Sequence, residues 1–359
     1  MPAATIARVT TSAGGDPPLP PGVRRRPTMR DVAAVADVSL STVSRVVNGG
    51  LVDAGMARRV HDAIEVLGYR PNLTASSLRR SDRASRTLGL VFEDVANPFF
   101  SALHRGVEDV VHDRGFLTFS VSSDEEPARE RRLVEALTAR GVDGLILTPT
   151  TADHGYLLRD RGAGLALVFV DRPPRFIDAD AVVSDNHGGA SAAVEHLIAH
   201  GHRRIGFLGD RPEVYTAAER YRGYRDALAR HGIDAAGLPK VHPHHRAADA
   251  RALTMELLRG EDRPTALFSS QNLITIEAIR ALHEMGLEHE VALVGFDDVT
   301  LGDAVRPGLT AVAQDPAELG RVAAELMLER LAGGSGPTRL LTVPTRLVAR
   351  GSGEISVAA

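Results

Sequence analysis

From Thr87 onward the chain repeats one pattern, in which a short apolar run is followed by an amphipathic stretch with helical spacing. This alternation is typical of an α/β fold, a parallel sheet wrapped by helices. The apolar runs lie at residues 88–92, 116–121, 144–148, 165–170, 181–184, 204–208, 265–268 and 291–295. The helical stretches lie at 99–114, 127–140, 188–200, 217–231, 247–259, 272–285 and 315–332. On the pattern alone, eight such strands can also close a single barrel.

Residues 28–48 (TMRDVAAVADVSLSTVSRVVN) predict two short helices joined by a tight turn. Thr28 and Asp31 have the spacing of a capping box, and Ser39 is a suitable N-cap for the second helix. That helix turns valines inward and leaves a polar outer face, made of Leu40, Ser41, Thr42, Ser44, Arg45 and Asn48. A third helix is predicted from about Asp53 to Gly68. This is the layout of a DNA-reading helix-turn-helix, although any pair of short amphipathic helices shares the spacing.

The charge is distributed unevenly along the chain, although the total is only −4. Residues 1–86 hold 13 arginines and 7 acidic residues, so the remainder carries a net charge of −10. A basic N-terminal part joined to an acidic body fits a nucleic-acid reader coupled to a domain that does not contact phosphate. Ordinary solvated charge would give the same modest imbalance.

Two motifs together carry a specific resemblance. The pattern D-V-A-x-x-A-x-V-S-x-x-T-V-S-R-V-x-N spans residues 31–48, and G-Y-R-P-N-x-x-A-x-x-L spans residues 68–78. Together they resemble the lactose-repressor (LacI/GalR) family of transcription regulators. The resemblance implies an N-terminal three-helix head and a periplasmic-binding-protein-like core of two doubly wound parallel-sheet lobes, rather than a barrel. Interlobe crossings are expected near 184–187, 312–314 and 339–342.

The resemblance also implies a domain plan. We expect a disordered arm over 1–27, the helix-turn-helix over 28–70, a hinge helix or linker over 71–86, and an effector-binding and dimerisation core over 87–359. Within the core, the first lobe is expected at about 87–185 and 313–340, and the second lobe at about 186–312 and 341–355.

The family's DNA contacts carry over to positions of this sequence. Leu40, Ser41 and Arg45 then face the bases, and Arg45 can grip a guanine with two donors. Phosphate contacts are expected from Thr28, Ser39, Thr42, Ser44 and Asn48. Ala75 and Leu78 correspond to hinge positions that pack against the partner hinge and push an apolar wedge into the minor groove.

The family's effector motifs are also recognisable. They include Asn97-Pro98-Phe99-Phe100 after the first sheet strand and the segment around Gly295-Phe296-Asp297-Asp298. The residues expected to bind the effector are Asn97, Phe99, Phe100, Arg172, Arg220, Gln271, Asp297 and Gln314. Ser270-Gln271-Asn272 stands where the family usually has A-N-D, which removes a carboxylate from the cleft edge. Arg172 and Arg220 are therefore compatible with an acidic sugar as well as with a neutral one.

Several functional classes are disfavoured. The sequence has no apolar run of about eighteen residues and no apolar secretory core near its start, so we expect no membrane contact and a cytoplasmic location. Cysteine is absent, and neither His242, His244 and His245 nor His196, His200 and His202 has an acid pair at metal-ligand spacing, so no metal or cofactor is expected. No Walker-type phosphate loop appears, which disfavours an enzyme.

Three readings of the whole chain remain, of which an enzyme with a fused head explains neither cleft pattern. The first is a ligand-gated repressor, a homodimer on a near-palindromic double-stranded operator whose affinity depends on a small sugar-like effector between the lobes. Its alternative is a transport-type sugar-binding protein, which explains only the core and needs an export signal.

Overall fold

The structure, a computed structural model, describes residues 27–47, 49–70, 85–150, 153–241, 247–260 and 262–357. The chain divides into two compact units, residues 1–83 and 84–359. Asn48, Ala75 and Leu78 lie outside the described residues, as do residues 1–26 of the expected arm and residues 71–84 of the expected hinge. The predictions made for them stay predictions.

The first unit contains three helices, α1 (Met29–Ala36), α2 (Leu40–Val47) and α3 (Ala54–Leu67). Each is too short to be stable alone, so packing must supply the stability. Its core is formed by Tyr69, which lies just beyond α3, and by buried side chains from all three helices, namely Val32, Ala36, Val43, Val60 and Ala63. The spacing of these residues puts one apolar stripe of each helix in the centre and leaves the polar faces outside.

The second unit contains twelve strands and eight α-helices among the residues described. The strands are β1 (Thr87–Phe92), β2 (Leu117–Ser122), β3 (Gly144–Leu147), β4 (Ala166–Val170), β5 (Asp180–Ser184), β6 (Ile205–Leu208), β7 (Lys240–Val241), β8 (Ala266–Ser269), β9 (Ala292–Phe296), β10 (Thr310–Ala313), β11 (Leu340–Val343) and β12 (Arg346–Val348). The helices are α4 (Pro98–Val111), α5 (Pro127–Ala139), α6 (Leu158–Gly162), α7 (Asn186–Ala199), α8 (Tyr215–Arg230), α9 (Ala247–Arg259), α10 (Asn272–Met285) and α11 (Pro316–Leu331). Short 3₁₀ turns cover His112–Arg114, Gly155–Leu157 and Ala235–Gly237.

The first lobe is a six-stranded parallel sheet in the order β11-β5-β4-β3-β1-β2. Helices α4 and α11 pack against each other on it. Gly106 and Gly320 allow this close approach, because a Cβ on either glycine would collide with the backbone of the facing helix. The central strands are buried on both faces and therefore read as continuous apolar runs.

The second lobe is a six-stranded sheet in the order β12-β10-β9-β8-β6-β7. Its strand pairs are parallel, except that β12 runs antiparallel to β10. Helices α7 and α8 pack together beside it. Two doubly wound sheets, and not one barrel, are therefore formed, and the predicted fold class is confirmed.

The chain passes between the lobes at three places: after β5, after β10, and between β11 and β12. The predicted position of the third crossing, near 339–342, was wrong by a few residues. Residues 340–343 form β11, which pairs in parallel with β5 of the first sheet, so the first lobe extends to Val343. The Asp180 carboxylate fixes this strand, since it accepts the backbone N–H of Arg339 at 2.8 Å.

Candidate DNA-binding surface and effector cleft

The first helix of the head begins and ends as the sequence predicts. The Thr28 backbone N–H and its hydroxyl both donate to Asp31 Oδ2, each at 2.7 Å, and close the capping box. Asp37 ends α1 in the left-handed region, with φ of 51°. Asp tolerates this conformation better than most side chains do, which is why it can stand at a turn that favours glycine.

The N-terminus of α2 carries a cluster of hydroxyls. Ser39 Oγ accepts the Thr42 backbone N–H at 3.1 Å and lies 2.7 Å from Ser41 Oγ and 2.8 Å from Thr42 Oγ1. The side chains of Ser39, Ser41, Arg45 and Leu40 are exposed, whereas Thr42 and Ser44 are half-buried. Free backbone N–H groups and hydroxyls at a helix N-terminus suit a phosphate.

The third helix begins with an acidic cap. Asp53 Oδ1 accepts the backbone N–H groups of Gly55 at 2.9 Å and Met56 at 3.1 Å. These are the donors that a phosphate would otherwise use. A DNA contact at this helix end is therefore disfavoured, and the recognition surface is left to α1 and α2.

Asn97, predicted from the N-P-F-F motif, joins the two lobes of the core. Its Oδ1 accepts the Phe99 backbone N–H at 3.1 Å, which caps α4, and also the Asn272 side-chain amide at 2.7 Å from the second lobe. Asn272 was not predicted. The structure places Phe100 in the first-lobe core, stacked on Phe92, so Phe99 is the aromatic side chain left half-buried.

Arg172 lies at the centre of an acidic network. Its Nη2 donates to Glu93 Oε2 at 2.6 Å, and its Nη1 donates to Glu125. The other oxygen of Glu125 accepts from Arg211 of the second lobe at 2.9 Å. Burial raises the pKa of Glu93 to about 7, although Arg172 lowers it. Sequence reasoning missed Glu93, Glu125 and Arg211, whose only signal is a charge close behind a strand end.

Asp171 and Asp297 hold equivalent positions in the two lobes. Each directly follows a strand in the left-handed region, with φ of 71° and 75°. Each donates its backbone N–H to a neighbouring strand, Asp171 to Val182 at 2.8 Å and Asp297 to Val312 at 2.9 Å. Strained residues of this kind concentrate at functional sites. Burial raises the pKa of Asp171, and the nearby Arg172 lowers it.

Arg220 is a buried cation of the second lobe. Its Nε donates to Asn186 Oδ1 and its Nη1 to the Ser270 carbonyl, both at 2.7 Å. The guanidinium lies 3.8 Å from the centroid of the Phe296 ring, a cation–π distance. Among the hydrogen bonds of the described residues, none uses Nη2, so Arg220 keeps the two N–H groups of this nitrogen for a ligand.

The two predicted glutamines differ in role. Gln271 caps α10, since its Oε1 accepts the Ile274 backbone N–H at 3.2 Å. Gln314 donates its Nε2 to Asp297 Oδ1, and its own Oε1 is buried without a partner among the residues described. Asp297 Oδ2 also accepts the Asn272 backbone N–H at 3.3 Å, so the Asp297 carboxylate is held in place from two sides.

Several buried hydroxyls at strand ends have no hydrogen-bond partner within the described ranges. Ser123 follows β2, Thr148 follows β3, Ser184 ends β5 and Ser270 follows β8. The carboxyl ends of parallel strands are where open α/β sheets bind ligands. Unpaired buried hydroxyls are costly unless a ligand or water satisfies them. A polyhydroxylated ligand matches this set, which periodicity could not reveal.

The described histidines of the candidate metal clusters have structural partners. His196 Nε2 lies 2.5 Å from Glu354, and buried His202 bonds Thr265 and the Ile355 carbonyl, so both hold the C-terminal segment on the second lobe. In the part of the chain that the structure describes, no group of three or more His, Asp or Glu residues is arranged to hold a metal ion. His242, His244 and His245 lie outside that part.

Comparison with known proteins decides the family. Residues 28–72 match the model of bacterial regulatory proteins of the lacI family, and residues 194–353 match a periplasmic binding protein-like domain. The transcriptional regulator PtxS of Pseudomonas plecoglossicida is 35% identical over 338 residues, which cover 92% of this chain and 97% of that protein. The chain belongs to the LacI family.

Solved structures agree with this assignment. The transcriptional regulator CelR in complex with cellobiose is 31% identical, with a TM-score of 0.68 over 91% of this chain and 100% of that one. The lac repressor dimer bound to operator and the anti-inducer ONPF is 26% identical, with a TM-score of 0.78 over 92% of this chain and 99% of that one.

This LacI-family chain is thus a DNA-binding transcriptional regulator, as predicted. Its helix-turn-helix lies in the segment that matches the lacI-family model, and the strands of its second lobe lie in the segment that matches the periplasmic binding protein-like domain. None of the helices described is both long enough and apolar enough to cross a membrane.

Proposed function

We propose that this LacI-family chain represses transcription as a homodimer on a near-palindromic operator, and that a small sugar-like effector in the cleft changes its operator affinity. One observation carries the proposal: a single chain combines a helix that exposes an arginine and hydroxyls with two sheets whose strand ends carry buried hydroxyls that have no partner among the residues described. The exposed arginine and hydroxyls of the helix suit base edges and phosphates, and the buried hydroxyls suit a polyol. The proposal requires no metal or cofactor.

On the DNA side, α2 reads the major groove. Leu40, Ser41 and Arg45 contact bases, and the exposure of all three side chains supports this role. Thr28, Ser39, Thr42 and Ser44 contact phosphates, with Asn48 as a further phosphate contact. The hinge residues Ala75 and Leu78 act as the minor-groove wedge.

On the effector side, the binding residues are those that converge on the cleft from both lobes. The carboxylates of Asp171 and Asp297 accept hydrogen bonds from ligand hydroxyls, and Arg220 donates hydrogen bonds through Nη2. Asn97, Phe99, Arg172, Gln271 and Gln314 complete the lining. Because Arg172 is already paired with Glu93 and Glu125, an uncharged sugar is favoured over the acidic sugar that the sequence also allowed.

A homodimer follows from the operator. A near-palindromic duplex has two-fold symmetry, and two identical heads read its half-sites most simply when their subunits share that symmetry. The likeness to a lac repressor dimer on its operator supports this assembly. The protein then acts where its operator lies, in the cytoplasm.

We also infer that the chain does not turn its ligand over. Glu93, whose pKa lies in the range of a general acid, is held on Arg172, and both oxygens of Asp297 accept hydrogen bonds from protein donors. These contacts suit binding rather than proton transfer. A transport-type sugar-binding protein, the alternative reading of the core, does not account for the helix-turn-helix.

A gel-shift experiment tests the proposal. The purified full chain is titrated into duplex DNA from upstream of its own gene, with and without D-ribose or cellobiose. A specific shift that a sugar changes is expected. Absence of any shift at about 50 mM salt, where phosphate contacts are strong, would contradict DNA binding. A shift that is insensitive to a panel of sugars would contradict the effector.

A further inference from the structure

We propose that Thr150 is a further effector-binding residue, and that buried Glu130 and His154 are the positioning residues that hold it in place. The inference rests on the proposed function, because it adds a residue to the same cleft. None of these three residues belongs to a motif that the sequence analysis identified.

Thr150 lines an opening between the lobes. This cavity has a volume of about 230 Å³ and is bordered by Thr150 and Arg172 from the first lobe and by Pro212, Glu213 and Tyr215 from the second. Thr150 is only 4% exposed, yet its Oγ1 has no hydrogen-bond partner among the residues described.

An unpaired buried hydroxyl is unfavourable unless something else satisfies it. Thr150 Oγ1 can both donate and accept, so it matches a sugar hydroxyl, which has the same capacity. Its place on the cavity wall, opposite residues of the second lobe, makes the effector the natural partner. Thr150 would then discriminate a ligand that carries a hydroxyl at that position from one that does not.

The Thr150 backbone is held by a fully buried carboxylate. Glu130, on α5, accepts the Thr150 backbone N–H at 2.7 Å through Oε2 and the Tyr156 hydroxyl at 2.8 Å through Oε1. Charge-assisted bonds of this kind are stronger than neutral ones. The position of the Thr150 backbone is therefore fixed from behind the cavity wall.

His154 extends this support to a second loop of the cavity. Its backbone N–H donates to the Arg175 carbonyl, and its Nδ1 accepts the Arg175 backbone N–H, both at 3.2 Å. Because Nδ1 accepts, the ring proton lies on Nε2, which is buried 3.5 Å from Glu130 Oε1 and makes no hydrogen bond among the residues described. Arg172 Nη1 also donates to the Pro149 carbonyl at 3.3 Å. Glu130 thus holds the loop that follows β3 through Thr150, and His154 joins that loop to the loop that follows β4 through Arg175.

The variant Thr150→Val tests the hydroxyl directly, with Thr138→Val as its matched control. Thr138 Oγ1 is also buried and unpaired in the part of the chain described, but it lies on α5 and does not line the cavity. Binding of D-ribose, D-xylulose and cellobiose to the wild-type full chain is measured by calorimetry. The sugar that binds is then titrated into both variants, and Tm is measured without sugar.

For T150V we expect sugar binding that is about five- to tenfold weaker, because one hydrogen bond to the sugar is lost. The Tm without sugar should not decrease. T138V should match the wild type in both measurements. Unchanged sugar affinity in T150V, or a lower Tm that accounts for the weaker binding, would overturn the inference. Failure of the proposed function can be distinguished from failure of this inference, because in the former case the wild-type protein itself binds no sugar.

The positioning role is tested with Glu130→Gln against Glu135→Gln, which changes an exposed glutamate of the same helix. In E130Q the sugar affinity should fall while the operator affinity without sugar stays at the wild-type value. E135Q should change neither. An equal loss of operator and sugar binding in E130Q would indicate general damage to the fold and would contradict a positioning role.

Discussion

The Asn272 side-chain amide donates to Asn97 Oδ1 at 2.7 Å and thereby joins the two lobes of the core. Asn97 caps α4 of the first lobe, and Asn272 is the first residue of α10 in the second. Both side chains are buried. A movement that widens the cleft here must break this bond, so ligand binding between the lobes is coupled to their relative position.

Replacement of Arg45 by alanine should weaken operator binding by about 1–3 kcal/mol and relax specificity at one base pair, because a bidentate contact to guanine is lost. The measurement is fluorescence anisotropy on the operator and on single-base variants of it. Arg263→Ala serves as control, since Arg263 pairs with Glu290 on the surface of the core. Equal losses in R45A and R263A would contradict a base-reading role.

Replacement of Arg220 by lysine should abolish the response to the effector and leave operator binding without effector intact. A lysine carries its donors on a single nitrogen, so it cannot reproduce the planar guanidinium that reaches Asn186 and Ser270 from two nitrogens and leaves a third for the ligand. Calorimetry should show an affinity for sugar at least tenfold below that of the wild type, about 1.4 kcal/mol. A full effector response in R220K would contradict the assignment of Arg220.

Some of the site could be predicted from the sequence because its signals are local. The caps at Thr28, Ser39 and Asp53 involve residues two or three apart, and each forms as expected. The Glu125 contacts with Arg172 and Arg211 join residues that are 47 and 86 positions apart. The periodicity of the sequence cannot predict such an ion pair, because its residues come together only after both sheets have formed.

The strands that were missed have a similar explanation. β7 has two residues and β12 has three, and both are edge strands of the second sheet, so neither has a long apolar run. β11 is an edge strand of the first sheet, and its place depends on the remote Asp180. β10 was missed as well, although it is a buried interior strand, because its four residues, Thr310–Ala313, are too short and small to form a clear apolar run. The other interior strands were identified from their apolar runs.

The titration of Glu93 should make stability depend on pH. Burial raises its folded pKa to about 7, above the unfolded value of about 4.3. A group with a raised folded pKa contributes stability that is fully present below the unfolded pKa and is lost as pH rises through about 7. Glu93→Gln removes this titration.

The unfolding free energy of E93Q, relative to the wild type, should therefore rise by about 1–3 kcal/mol between pH 5 and pH 8. Urea denaturation at the two pH values measures the difference. A constant difference across this range would show that Glu93 is ionised throughout, and the acidic network would then need another description.

Asp180 should be a major anchor of the first sheet. It accepts from Arg330 Nε at 2.6 Å as well as from the Arg339 backbone. Burial alone would raise its pKa, but these two partners lower it. Asp180→Asn should reduce the unfolding free energy at pH 7 by about 2 kcal/mol, because charge-assisted hydrogen bonds from half-buried Arg330 and from the Arg339 backbone are weakened.

The Asp180 carboxylate, whose pKa is lowered in the folded protein, contributes stability only while it is ionised. The difference in unfolding free energy between D180N and the wild type should therefore shrink as pH falls below about 4, toward the folded pKa of Asp180. Asp226→Asn is the matched control: Asp226 pairs with His187 on the surface, and its loss should be too small to measure. Equal destabilisation by the two variants would contradict the anchoring role of Asp180.

The central claim is that the cleft and the helix-turn-helix are energetically coupled, and linkage measures this directly. Operator affinity is determined by anisotropy with and without saturating sugar, and sugar affinity by calorimetry with and without operator duplex. Coupling requires both affinities to change by the same factor, typically 5- to 150-fold. The account predicts equal factors clearly different from one. Operator binding that no bound sugar alters would contradict it.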